Sequence, residues 1–498
     1  MSATILTTLP PATMSSKPNI VFIYVDDQAA WTIGAYGNAE AHTPNLDRLA
    51  REGALLENCF CSTPVCSPAR AAMMTGRYST ETRVPDFIPN PKHPAYTPEW
   101  ADIGLDGSIP TWPSVLAEHG YTNALVGKWH IGDWTQDPQR RFHPCRNGYE
   151  SFFGLTGGGV NPLDPEFEED GEVRTFSGYC DDILTDQAVA FLDAHGRESN
   201  SSGQGGDSDQ QKPFLISLHL RQPHSPWEPI PASEKELFAD TTLTLPETDV
   251  PDVDTEALHE RMRLYMSAVA GVDRMVGRVF EALDRNGLDD DTLFIFSADH
   301  GYMMGHNGLW HKGNGIWATR ASDNETGNRW QPNLSEPSLR VPALVRWPGR
   351  IAPGLRLPQL VSDVDWFPTL LELTGCPTPA SGTGRGRSFA PLLFGKSTPW
   401  RDAVYSEYDM CIYARARLRA LRGERWKLIA DFRSPWSSAF YDLEKDPGET
   451  ANLLGAGALS PPYREEVKQA LSEMADRLLA VMRGHDDPLL KQADALPF

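Results

Sequence analysis

The stretch Asn19-Ile-Val-Phe-Ile-Tyr-Val-Asp-Asp27 decides the architecture. Its first seven positions are almost continuously β-branched or aromatic, and the run halts at two acids. A strand with no polar alternation is one buried on both faces, as in a parallel sheet. Working outward, Thr43-Pro-Asn-Leu-Asp47 opens a helical pattern that closes near Gly53. A helix over 114–119 ends at Gly120 and leads into a strand over 123–126.

Two more apolar runs, over 213–220 and 292–297, pass directly into polar residues, Arg221-Gln-Pro-His224 in one case and Asp299-His300 in the other. Helical periodicity over 264–283 lies between them and stops at Asn286-Gly287. Strands alternating with helices predict an α/β fold, a doubly wound sheet whose polar chemistry collects at the carboxyl ends of the strands. Four separate strand ends here carry Asp or His. Residues 195–212 are rich in Ser, Gly, Asp and Gln, the composition of a flexible surface insertion. Pro, Gly, Ser and Thr over 377–386 divide the chain into a catalytic domain at 17–385 and a C-terminal α+β subdomain at 390–498. The latter holds strands near 403–405, 416–422 and 426–429 and a terminal helix from Pro462.

The chain has 498 residues, 40% hydrophobic and 22% charged, which is ordinary for a globular protein and excludes disordered and fibrous classes. With 45 Lys and Arg against 67 Asp and Glu, the net charge is −22, which repels nucleic acid and anionic membranes. Any cluster of Lys, Arg or His beside a motif is therefore more telling than in a basic protein. No apolar run approaches the length of a membrane span. Seven cysteines at irregular spacing do not make a disulfide scaffold. The first sixteen residues lack a basic start and are interrupted by Pro10 and Pro11. That favours a cytoplasmic location, with a periplasmic or secreted one left open by a mis-set start.

Cys66-Ser-Pro-Ala-Arg70, followed by Thr75-Gly76-Arg77, is the most specific signal. Taken alone, a cysteine in so short a motif is often a buried structural thiol. Its Cys-x-Pro-x-Arg core and downstream Thr-Gly resemble the signature of the formylglycine-dependent type I sulfatases, and the resemblance extends over nearly the whole chain. It implies an alkaline phosphatase-like mixed sheet. It also implies that a maturation enzyme oxidises Cys66 to formylglycine, whose hydrated aldehyde is the nucleophile: one hydroxyl attacks sulfur and the other later expels sulfate.

The same resemblance gives roles to the strand-end residues. Asp26, Asp27, Asp299 and His300, with the modified Cys66, match the positions that hold one divalent metal, Ca²⁺ by family pattern. Most of the family has asparagine where this chain has His300, and a nitrogen ligand leaves Mg²⁺, Mn²⁺ or Zn²⁺ open. Gly127-Lys128-Trp129-His130 resembles the element in which the lysine contacts sulfate and the histidine the formylglycine hydroxyl. Pro223-His224-Ser-Pro226 resembles the element whose histidine faces the sulfate and protonates the leaving oxygen. Lys312, in Gly308-Leu-Trp-His-Lys-Gly313, matches a second sulfate-binding lysine, and Arg70 orients the diol.

The chain departs from the common pattern over 313–338, a longer interval bearing Trp317, Arg320, Arg329 and Trp330. Aromatic and guanidinium groups are natural sugar and anion contacts, so His311, Trp317 and Arg320 are candidate substrate residues. A loop pinned to the surface by tryptophans would look the same. The expectation is a sulfuric ester hydrolase acting on a sulfated carbohydrate. The alternatives are a phosphonate or phosphodiester hydrolase on the same fold and a non-catalytic sulfoglycan-binding protein.

Overall fold

The computed structural model describes residues 17–201, 212–319, 329–455, 460–491 and 496. The run that opens the sequence reading is strand β1 (Asn19–Val25), and Ile20 to Val25 are each at most 1% exposed. Around it assemble β2 (Ala54–Phe60), β3 (Thr122–Lys128), β4 (Ser151–Leu155), β5 (Glu166–Glu169), β6 (Glu172–Thr175), β7 (Phe214–His219) and β8 (Thr292–Ala298). A small antiparallel sheet of β9 (Leu309–Trp310), β10 (Asn314–Trp317) and β11 (Trp330–Pro332) follows. Then β12 (Arg340–Val341), β13 (Ala343–Arg346) and β14 (Leu355–Ser362) return to the large sheet.

The large sheet runs β12-β2-β13-β8-β1-β7-β3-β4-β5-β6, with β14 beside β2. Strand β1 is parallel to both β7 and β8, and β3 is parallel to β7 and β4. Strand β13 runs antiparallel between β2 and β8, so the sheet is mixed. Because β1, β3, β7 and β8 point the same way, their carboxyl ends lie along one edge. Helices Pro44–Glu52, Trp112–Glu118, Cys180–Ser201, Thr255–Arg285 and Trp366–Thr374 are joined to this sheet. Among the described residues, no helix is long and apolar enough to cross a membrane.

Strand β2 is the main departure from the sequence reading, which passes from the first helix to β3. Its apolar run Ala54-Leu-Leu is broken by Glu57 and Asn58, which are half-buried where β14 lies alongside. Residues 195–201 of the expected insertion continue the helix Cys180–Ser201, while 202–211 lie outside the described residues. The interval over 313–338, expected as a loop, contains β10 and β11.

Four further strands, β15 (Ala403–Tyr408), β16 (Leu418–Gly423), β17 (Trp426–Asp431) and β18 (Ala439–Asp442), form an antiparallel sheet against which helix Pro461–Gly484 packs. Phe389, Ala390, Leu392 and Leu393 belong instead to the core of the large sheet. The small sheet is tied back to the large domain: Glu407 of β15 accepts hydrogen bonds from Ser79 Oγ (2.9 Å) and Thr80 N (2.7 Å). All seven cysteines are free thiols.

Candidate active site

The sheet edge supplies most of the site. Asp26 and Asp27 follow β1, Lys128 ends β3, His224 follows β7, and Asp299 and His300 follow β8. Cys66 stands at the first position of the helix Cys66–Thr75, every residue of which is buried, and Arg70 lies one turn further on. The free amides of a helix start favour an anion there. Lys312 and His311 come from the turn between β9 and β10. Asp27, His130 and His311 take left-handed backbone, with φ of 68°, 56° and 84°. Such conformations are uncommon outside glycine and concentrate at functional sites.

Charge is dense here. Lys312 Nζ lies 2.6 Å from Asp27 Oδ1 and 3.0 Å from Cys66 Sγ. Lys128 Nζ pairs with Asp26 Oδ2, and Arg70 Nε donates to Asp299 Oδ2 at 2.9 Å. A second Arg70 nitrogen, Nη1, donates to the Lys128 carbonyl at 2.9 Å, which fixes the end of β3 against the Cys66 helix. Burial by itself pushes the Cys66 thiol up, but Lys128 and Lys312 outweigh it and hold the thiol well below its ordinary value. Burial likewise opposes charge on His300, yet the Asp299 carboxylate raises it to about 9.

Asp26, Asp27, Asp299 and His300 fit a divalent cation. All four are fully buried. Asp27 Oδ2 has no hydrogen-bond partner, an orphan that a buried carboxylate seldom keeps without a cation. His300 Nδ1 donates to the Gly301 carbonyl at 3.0 Å, which directs Nε2 to the carboxylates, 3.4 Å from Asp27 Oδ1 and 3.5 Å from Asp299 Oδ1. A metal-bound histidine is commonly oriented through such a bond to its other nitrogen.

Two further histidines flank Cys66. His130 donates Nε2–H to the Ile88 carbonyl at 2.9 Å and leaves Nδ1 buried without a partner. Burial, with Lys128 beside it, lowers its pKa, so the ring is neutral and Nδ1 is an acceptor. His224 donates from Nδ1 to the Ser225 carbonyl, and its Nε2 lies 3.9 Å from Asp27 Oδ2.

A cavity of about 220 Å³ opens over Cys66, bounded by His130, His224, His311 and Lys312. The sequence-predicted residues thus converge, with two exceptions. Trp317 does not line the cavity: Asn314 does, and alternation along β10 sends the side chain three positions later to the opposite face. Arg320 lies outside the described residues. The remaining wall includes Phe87, Asn90, His93 and Tyr413, which the sequence reading did not single out. No local motif marks them, since they come from a loop after the Cys66 helix and from the C-terminal subdomain.

Known proteins resemble this chain over most of its length. An N-acetylglucosamine-6-O-sulfatase of Bacteroides thetaiotaomicron is 25% identical, over 93% of this chain and 87% of its own. The choline-sulfatase of Rhizobium meliloti is 28% identical, over 88% and 83%. Among solved structures, a protein in complex with its substrate D-glucosamine-2-N,6-O-disulfate superposes with a TM-score of 0.74 at 23% identity, covering 95% of this chain and 99% of that one. Another, in complex with k-i-k-neocarrahexaose, gives 0.69 at 24% identity, covering 93% and 92%. Residues 329–477 match the C-terminal family of N-sulphoglucosamine sulphohydrolase. Residues 18–376 match the sulfatase family itself, nearly all of the large domain with its strand-end acids, lysines and Cys66, and the chain belongs to that family of sulfuric ester hydrolases.

Proposed function

We propose that this enzyme releases sulfate from a sulfated carbohydrate, with residue 66 matured to formylglycine by a separate enzyme and Ca²⁺ held by Asp26, Asp27, Asp299 and His300. The observation that carries the reading is the meeting of Lys312 Nζ, 3.0 Å from Cys66 Sγ, with Lys128 and two histidines around one buried nucleophile at the base of an open cavity. The carbohydrate part is supported by relatives named for sugar substrates, an N-acetylglucosamine-6-O-sulfatase and an ulvan-active sulfatase among them.

A sulfate monoester carries one charge, and more builds on the bridging oxygen as the S–O bond breaks. Lys128 and Lys312 are fixed by ion pairs before substrate arrives, so they stabilise that charge without reorganising. Formylglycine supplies a hydrated aldehyde as an oxygen nucleophile, and a divalent cation supplies positive charge against the sulfate oxygens. His130 Nδ1 is the acceptor for a proton from the group at position 66. His224 bounds the same cavity and gives a proton to the departing sugar oxygen. Arg70 holds Asp299 and the Lys128 carbonyl and so keeps cation site and lysine in register.

The test is production with and without a formylglycine-generating enzyme, followed by the mass of the Cys66 peptide and sulfate release from a panel of sulfated monosaccharides. Aldehyde at position 66 together with sugar-dependent sulfate release is the expected result. Aldehyde without release from any sulfated sugar, while an aryl sulfate is turned over, would overturn the carbohydrate assignment. A cysteine left unmodified in the co-expressed protein would overturn the mechanism.

A further inference from the structure

The cavity has a chemical asymmetry that the sulfate chemistry does not use. One part of its wall is cationic and holds Cys66; another is aromatic, built from Phe87, His93 and Tyr413. Tyr413 is 49% exposed, an unusual place for a tyrosine that makes so many ring contacts. Its ring stacks on Trp330 at 4.2 Å with 3° between planes, and lies 5.7 Å from Phe87 and 5.9 Å from His93. Its hydroxyl meets His93 Nε2 at 3.0 Å. The rings are thus locked to one another while Tyr413 stays open to solvent.

The backbone explains how this is held. Tyr413 sits at φ 65°, which is strained for a bulky residue. The two residues before it are clamped from the large domain: Asp86 Oδ2 accepts from Cys411 N and Ile412 N, each at 2.9 Å. Asp86 Oδ1 accepts from Tyr408 Oη at 3.1 Å and from Phe87 N at 2.9 Å. One fully buried carboxylate therefore sets both Phe87 and Tyr413, from opposite domains, at the same cavity.

We propose that Phe87, His93 and Tyr413 form the platform for the single pyranose ring that bears the sulfate, and that Asp86 is the positioning residue that joins its two halves. The proposal rests on the carbohydrate reading above. A pyranose presents an apolar C–H face that an aromatic ring covers, and a hydroxyl edge that polar groups lining the cavity, such as Asn90 and Asn314, satisfy. The cavity, about 220 Å³ and open to solvent, is the place for the ring that bears the sulfate.

The test uses matured full-length enzyme and three readouts: KM and kcat for the best sulfated monosaccharide, and inhibition by inorganic sulfate, which needs only the cationic part of the site. Tyr413→Asn removes the ring at a backbone position that asparagine tolerates. It is expected to raise KM about tenfold, the scale of one aromatic contact, with kcat and sulfate inhibition little changed. Tyr413→Phe keeps the ring and is expected to stay within about threefold of wild type. Asp86→Asn places an amide against donors and is expected to follow Tyr413→Asn in KM. An unchanged KM in Tyr413→Asn overturns the platform, as does a KM rise matched by weaker sulfate inhibition, which would mean a general support role. If wild-type enzyme hydrolyses an aryl sulfate but no sulfated sugar, the carbohydrate reading falls and the platform falls with it.

Discussion

Replacing Lys312 with methionine removes one charge from the site while keeping most of the side chain's volume. In the unmatured protein, Lys312 Nζ is 3.0 Å from Cys66 Sγ, and the residues are 3% and 2% exposed. At an effective dielectric of about 20, unit charges at that distance attract by roughly 5 kcal/mol. Loss of that attraction disfavours the thiolate and raises the thiol's midpoint. Asp27, 2.6 Å from the same ammonium, already offsets part of that field, and Lys128 remains in the variant. The midpoint is therefore expected to rise, by less than loss of that whole attraction alone would give.

The assay is a pH titration of thiolate absorbance in chelator-containing buffer, with a Cys66→Ser protein subtracted to remove the other six cysteines. In the wild type the thiolate persists as pH falls well below the ordinary thiol midpoint; in Lys312→Met it disappears earlier on the way down. Matching midpoints would refute the claim that this lysine governs the charge at position 66. In matured enzyme the same substitution is expected to lower kcat by about 10²–10³-fold, the scale of one lost oxyanion contact.

His224→Gln should slow hydrolysis of a sugar sulfate by roughly 10²-fold or more but barely affect nitrophenyl sulfate, whose phenolate leaves without a proton. Equal losses on both substrates would remove His224 as the acid. Asp299→Asn removes a charge from the cation site, so metal analysis after dialysis should show far less bound divalent ion than in wild type, and added Ca²⁺ should no longer raise Tm. Asp363 is raised by burial to about 7. Its folded-state value lies above the unfolded one of about 3.9, so the folded chain binds the extra proton between these limits and stability declines as pH rises from 4 to 7. Asp363→Asn should flatten that slope in chemical denaturation, and an unaltered slope would assign it to other groups.

The catalytic half of the site is legible in the sequence through its resemblance to the sulfatase pattern, and most of its residues stand at local landmarks. Asp26-Asp27 and Asp299-His300 stand where apolar strands stop, Lys128 ends a third strand, and Cys66 and Arg70 share one helical turn. The substrate half is not. Tyr413 reaches the cavity only because Asp86 gathers a segment more than three hundred residues away, a pairing that leaves no periodicity in either segment. Trp317 drew notice as an aromatic residue on an unusual insertion, but which face of β10 it occupies depends on register with β9 and β11. Strand β2 was hidden for a related reason: Glu57 and Asn58 are tolerated in its middle because the distant β14 partners them, Arg356 pairing with Glu57 at 2.7 Å and the Pro358 carbonyl accepting from Asn58 at 2.8 Å.

That strand order has a consequence in time. Strand β2 leads into the nucleophile helix, yet its neighbours β12, β13 and β14 all come from residues 340–362. Ser62, just ahead of that helix, is fastened by Asp363, 301 residues later. On a ribosome adding about 5–20 residues per second, roughly 15–60 s separate the emergence of the two. Throughout that interval Cys66 belongs to no finished core; once the late strands dock, only 2% of it is exposed. Any enzyme that must grasp the Cys66 segment as an extended peptide has a deadline, and the order of the sheet sets it.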